Sequence, residues 1–361
     1  MPDRRSFLVG LLAIGSFSQA TWADVGDPAY VSAARHPSDG YSMLGLAQTG
    51  NITFNIPLPG RGHAAAAHPM RPLVVAFARR PGTFAVLIDC RSGMVLAEIQ
   101  APPGHHFSGH GLFSADGKLF FTGENDFENA QGKIGVWSLR SDRIRRVDAF
   151  SSGGIGPHDL HLMPDRQTIV IANGGIETHP DNGRAKLNIS TMRPNLTYLT
   201  LDGEIVEQHE PPPEIHKNSI RHLAVRDDGL VAIATQWQGD LTDRPALLAT
   251  HRRGGSLMFH EMSNDVQRNM RGYAGSIAFS GDGRQIAVTA PRGNMAVITD
   301  AHGRCCQTIR EPDVCGVAAQ GKGFMFTAGT GHAFTIQTGL TPPPTRHDYQ
   351  WDNHLVPINR S

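Results

Sequence analysis

The stretch Gly153–Asn188, GGIGPHDLHLMPDRQTIVIANGGIETHPDNGRAKLN, carries the pattern from which the fold follows. His158 leads into an alternating run, Pro164 and Asp165 mark a tight turn, and Thr168 to Ala172 is apolar and rich in β-branched residues. Period-two alternation interrupted by turn residues reads as strand–turn–strand. A polar loop bearing Glu177, His179, Arg184 and Lys186 follows.

The first half of this pattern recurs with lead-in residues His63, His110, His222, Ser276 and Cys315. Further strand–turn–strand text comes after most copies, among them FAVLIDCRSGMVLAEI, IGVWSLRSDRIRRV and LTYLTLDGEIVEQH. Successive lead-ins lie roughly 40 to 60 residues apart, the period of a four-stranded propeller blade. Six copies predict six complete blades. The C-terminal run from Trp351 through His354 offers one further strand, and residues 29–34, 41–48 and 52–58 offer three strands that lack a first. Joining them completes a seventh blade and removes open sheet edges. The expected fold is therefore all-β, a seven-bladed β-propeller of four-stranded antiparallel blades.

Composition agrees. Hydrophobic residues at 40% and charged residues at 18% suit a folded globule, and Gly 40 with Pro 24 supplies turns for many short strands. A formal net charge of zero with no basic block argues against a nucleic-acid partner. The 18 histidines are the compositional anomaly. At the N-terminus, Arg4 and Arg5 precede an apolar run from Phe7 to Phe17, with Ala20 and Ala23 beyond it. About eleven residues fall short of the roughly 20 that span a bilayer, so the run reads as an export signal of twin-arginine type. The expected domains are a signal over residues 1–23 and a single propeller over 24–361, placed in the periplasm with no membrane span in the mature chain. Cys90, Cys305, Cys306 and Cys315 permit at most one disulfide, whose pairing is open.

Antiparallel geometry places every lead-in residue at one end of its innermost strand, beside the central channel. The opposite end carries plain turns such as SADGK, RDDGL and SGDGR. His63, His110, His158, His222, Cys315 and His354 are accordingly candidate metal ligands, since imidazole and thiolate suit iron, copper or zinc. The competing reading is that each histidine beside a glycine only ties its own loop. Arg79, Glu124, Asp126, Glu177, His179, Arg184, Lys186, Arg221 and Arg292 fall on the same face as candidate ligand-binding residues. The cations among them could clamp a carboxylate or phosphate, or pair with the acids. No nucleophile elbow, phosphate loop, zinc-protease helix or haem-attachment motif is present, and neither is a nucleotide-binding motif.

The segments SGHGLFSADG, SGGIGPHDLHLMPD, ANGGIETHPDNGRAKLN, SIRHLAV, DVCGVA and WDNHL resemble a family of exported bacterial propellers that carry a domain of unknown function. The resemblance covers the whole mature chain. It implies work in iron acquisition or handling, because genes of that family lie beside imelysin-like and dihaem-peroxidase-like genes, whose products become candidate partners. It supplies no catalytic residue. The expected function is binding of a metal ion or chelate, iron before copper, at one mouth of the channel. Two alternatives stand beside it: a lactonase-like hydrolase of small anions using Glu124, His158 and Arg221, and a scaffold for partner proteins.

Overall fold

The computed structural model describes residues 20–79, 83–337 and 343–358. Seven antiparallel sheets are arranged as the blades of a propeller. Blade one runs from strand Gly62–Ala67 to Met94–Ile99, blade two from His105–Phe113 to Arg143–Ser151, and blade three from Pro157–Leu162 to Ile205–His209. Blade four spans Asn218–Val225 to Met258–His260, blade five Ser276–Phe279 to Cys305–Arg310, and blade six Val314–Gln320 to Thr345–Arg346. In each, the first strand in sequence is innermost, and it lies beside the innermost strand of the next blade.

Blade seven closes the ring. Tyr30–Arg35, Tyr41–Leu46 and Ile52–Leu58 form three of its strands. The C-terminal residues add the innermost one in two short pieces, Gln350–Trp351 and Val356–Pro357, both antiparallel to Tyr30–Arg35. The ends of the chain thus share one sheet. Trp22 is also buried, and its indole N–H donates to the carbonyl of His68 at 2.9 Å. The packed fold therefore reaches back past the expected boundary at residue 24; residues 1–19, which hold the arginine pair, lie outside the described residues.

The core is divided rather than central. Seven hydrophobic clusters occur, each between two neighbouring blades. Strands covered on both faces lose the hydrophobic–polar alternation: Leu73–Ala78, Thr168–Asn173 and Val231–Trp237 are buried throughout. The fourth strands, such as Met94–Ile99, return to exposed residues at the rim. Among the described residues the departures from the all-β pattern are short: one α-helix, Asn264–Met270 after blade four, capped by the Ser263 hydroxyl, and four 3-10 turns. All four cysteines are free thiols. No helix among the described residues is long and apolar enough to cross a membrane.

Candidate metal centre

The antiparallel register of the innermost strands slips at one level of the propeller. The breaks fall between Gly62 and Ala65, Phe107 and Gly111, Pro157 and Asp159, Ile220 and His222, and Val314 and Gly316. Blade seven has its counterpart in residues 352–355, which separate the two short inner pieces. A bulge adds an unpaired residue and re-aims side chains. His63, His110, His158, His222, Cys315 and His354 all sit in or at these interruptions.

Five of those six side chains meet on the axis. Among His63, His110, His158, His222 and His354, the neighbouring ring centres lie 4.7 to 6.1 Å apart. Two imidazoles bound to one metal at about 2.1 Å have ring centres about 4.5 to 6.4 Å apart for bond angles of about 90° to 180°. The observed spacings fall inside that window. The ligand atoms of His63, His110 and His158 lie within 4.8 Å of one another, as do those of His110, His222 and His354. Gly109 makes this approach possible: at φ +101° it passes so close to His63 that a Cβ there would stand 2.5 Å from the imidazole Cδ2.

The ring nitrogens are poised as ligands. His63 Nδ1, His110 Nε2, His222 Nδ1 and His354 Nε2 are buried without a hydrogen-bond partner. Such atoms are rare, and each costs about 1–3 kcal/mol when left unsatisfied. Burial, reinforced by His110 and Arg79, holds His63 well below the ordinary histidine pKa. Burial and Arg221 do the same for His158, and burial with the neighbouring rings for His354. Burial drives His222 down to about 3 despite the opposing pull of Asp159. These four imidazoles are neutral at pH 7 and carry free lone pairs.

Asp159 organises the cluster from beneath. Its Oδ1 lies 3.3 Å from His110 Nδ1 and its Oδ2 3.3 Å from His161 Nε2, with His222 Nδ1 at 4.0 Å. It also accepts the backbone N–H groups of Leu160 and Leu223 at 2.9 and 3.0 Å. Burial alone would raise its pKa, but His161 and His110 outweigh that and hold the carboxyl well below its usual range. Against the same opposing effect of burial, Asp159 raises the pKa of His161. A carboxylate only accepts, so His110 carries its proton on Nδ1 and presents Nε2 to the cluster. This is the carboxylate–histidine arrangement that orients metal ligands. Asp159 and His161 were not expected from sequence, although their i, i+2 spacing places both on one strand face.

The other candidates do not join the cluster. Cys315 turns its thiol to the carbonyls of Asp352, Thr327 and Trp351, and burial raises its pKa. It belongs to no group of metal-ligating side chains among the described residues. Glu124 is fully buried inside blade two, where Arg146 donates to both its oxygens at 2.5 and 3.0 Å and the Thr122 hydroxyl donates at 2.9 Å. Asp126 accepts from Asn129 and faces His105. Arg79 and Arg61 both pair with Asp352, at 2.6 and 2.8 Å, locking the C-terminal residues to blade one.

The long loop of blade three, residues 174–194, leans across its neighbours. Asn125 of blade two donates to the carbonyl of Thr178, and Lys186 reaches Gln238 of blade four. Within it, Asn188 ties Glu177 and Gly175 together, and His179 packs edge-on against Phe127 at 5.1 Å. Arg184 is exposed in the same loop. Arg292 stacks on Tyr273 at 4.3 Å. Lys186 lies within the fields of Arg221 and Arg292; with desolvation as the larger cause, its pKa falls. This face is cationic above His158.

A large cavity opens on the other face. A space of about 850 Å³ is lined by residues from the Asp-Gly turns, including Asp227 and Asp282, and it reaches His110, His222, Asp159, Ser276 and His354. The cavity reaches the cluster from the turn side, where side chains in its wall such as Ala67, Ala115 and Ala319 are small.

A second group, Glu207, His209 and His251, lies on the outer strands of blades three and four. Its atoms are mutually satisfied: His209 donates to Glu207 at 2.6 Å, and His251 contacts the Tyr198 hydroxyl at 2.7 Å and the Gly255 carbonyl at 3.1 Å.

The family model for a protein of unknown function (DUF1513) matches residues 56–358. The chain belongs to this family. Among solved structures, hydrazine synthase of Kuenenia stuttgartiensis is similar at 13% identity and a TM-score of 0.59, covering 92% of this chain and 98% of that chain. At that identity the likeness concerns the propeller fold alone. No curated protein matches the sequence. The match assigns this member of the DUF1513 family no activity, so its function has to be argued from the site.

Proposed function

We propose that the protein binds one first-row transition-metal ion at the five-histidine cluster on the propeller axis. The observation that carries this reading is the pair of imidazole trios sharing His110, His63–His110–His158 and His110–His222–His354, whose ligand atoms lie within 4.8 Å of one another in each trio, with four unpartnered buried ring nitrogens among the five residues. A bound ion would satisfy them together, and an all-imidazole set suits iron, copper, nickel or zinc. Iron is the preferred ion because the family resemblance implies iron handling; copper is the competitor on intrinsic affinity. The reading includes export to the periplasm and exchange of the ion with imelysin-like or dihaem-peroxidase-like proteins.

The hydrolase alternative loses its support at Glu124, whose carboxylate is engaged by Arg146 and Thr122. Elemental analysis of protein purified from its native compartment tests the metal reading. One equivalent of metal per chain is expected, together with its loss in a His110→Gln, His354→Gln variant. Substoichiometric metal, unchanged in that variant, would sink it.

A further inference from the structure

The geometry points to the turn face as the route by which the ion enters and leaves, as a hydrated divalent cation passing along the central cavity to Asp159. This inference rests on the metal reading. Its first support is the cavity itself, which runs from the turns to the cluster and includes His110, His222 and His354 in its wall. His110 is 6% and His354 7% exposed, and each has an unpartnered Nε2.

The second support is charge. Asp159 is the acidic group of the cavity wall that touches the cluster, at 3.3 Å from His110, and Asp227, Asp228 and Asp282 stand at the mouth. Arg166 and Arg226 share that mouth; Arg226 and Asp228 pair and offset each other, which leaves Asp227 and Asp282 against Arg166, and His161 in the wall pairs with Asp159. On the opposite face the nearest carboxylate, Asp352, is held by Arg79 and Arg61 and does not touch the cluster. Arg79 and Arg61 act on His63, and Arg221 acts on His158; none of the three contributes to the cavity wall. A cation approaching from that side meets no carboxylate in contact with the ligands, whereas one approaching through the turns meets Asp159 beside His110 and His222. Fields of this kind govern the rate of ion capture.

Stopped-flow loading of demetallated protein with Co²⁺, followed by its ligand-field bands, tests the route. Ala115→Trp with Ala319→Trp narrows the mouth from blades two and six. Loading is expected to slow at least about tenfold by loss of access, with the final stoichiometry unchanged. A surface variant guards against misfolding: Asp227→Lys should reduce the loading rate several-fold at low salt, and the difference should vanish near 1 M salt, where screening acts over about 3 Å. Lys186→Glu, on the opposite face, should leave the rate unchanged. Normal rates in the turn-face variants, or acceleration by Lys186→Glu, would overturn the route while leaving metal binding intact. Failure of the unaltered protein to bind Co²⁺ or any other first-row ion would instead remove the metal reading itself.

Discussion

Asp159 Oδ1 lies 3.3 Å from His110 Nδ1, so a carboxylate on the innermost strand of blade three sets the tautomer of a histidine on blade two. Replacing Asp159 with Asn keeps the size and removes the charge. Loss of such an outer carboxylate typically weakens metal binding about 10- to 100-fold. Competition titration against a chelator of known affinity should show a drop of that order. An unchanged affinity would mean that the carboxylate serves only the backbone N–H groups of Leu160 and Leu223.

Acid should destabilise the demetallated protein earlier than carboxylate titration requires. His63, His158, His222 and His354 resist protonation in the folded state, chiefly through burial. The unfolded chain protonates them near pH 6.5, so below that value it binds more protons than the native state. Stability then falls with pH, by up to about 1.4 kcal/mol per pH unit for each histidine, until the folded pKa is reached. For His222 that limit is about 3. Thermal midpoints at pH 7.5, 6.5 and 5.5 should fall progressively below 6.5. A flat profile down to pH 5.5 contradicts the buried, neutral state of the cluster.

Arg146→Ala separates structure from site. It strips the bidentate partner from Glu124, whose side chain is fully buried. Breaking a buried pair by removing one member costs about 3–5 kcal/mol. Denaturant unfolding should show that loss, while metal stoichiometry at 25 °C stays at the wild-type value. Altered stoichiometry in a folded variant would return Glu124 to the site.

Ring closure depends on few residues. Trp351 is 3% exposed, packs with Leu44 and Leu46, and occupies one of the two short inner pieces of blade seven. Trp351→Ala should cost about 3–5 kcal/mol as a core truncation. Removal of residues 350–358 should go further, exposing the Tyr30–Arg35 edge to pairing between chains. Size-exclusion chromatography should then show aggregates; a stable monomer would contradict closure through shared termini.

The candidate side chains converge in some cases and diverge in others for identifiable physical reasons. His63, His110, His158, His222 and His354 were legible because each belongs to an innermost strand, which faces the axis, but His110 and His222 lie at mid-strand bulges and His354 between two strand pieces rather than at a strand start. Cys315 occupies the equivalent place, yet its sulfur turns to the carbonyls of Thr327 in its own blade and of Trp351 and Asp352 in blade seven, since a small thiol fits between the two blades. Glu124 was assigned to the correct strand end but not the correct direction. Gly135 on the next strand leaves room for its carboxylate, with a Cβ there only 2.0 Å from Oε1, and Arg146 reaches it from the strand beyond.

What the chain determines by itself is the blade: alternation, Asp-Gly turns and the period of lead-ins are local patterns, and a missing first strand at one end answers a surplus strand at the other. The stretch Gly153–Asn188 supplied that pattern, but the chemistry it carries is settled elsewhere. Whether His158 meets three other imidazoles depends on bulges at the same level of several blades and on a ring whose diameter only closure sets. The role of Asp159 depends on which blade stands next to it. Side-chain convergence across residues far apart in sequence is a property of the closed ring, and only the tertiary structure decides it.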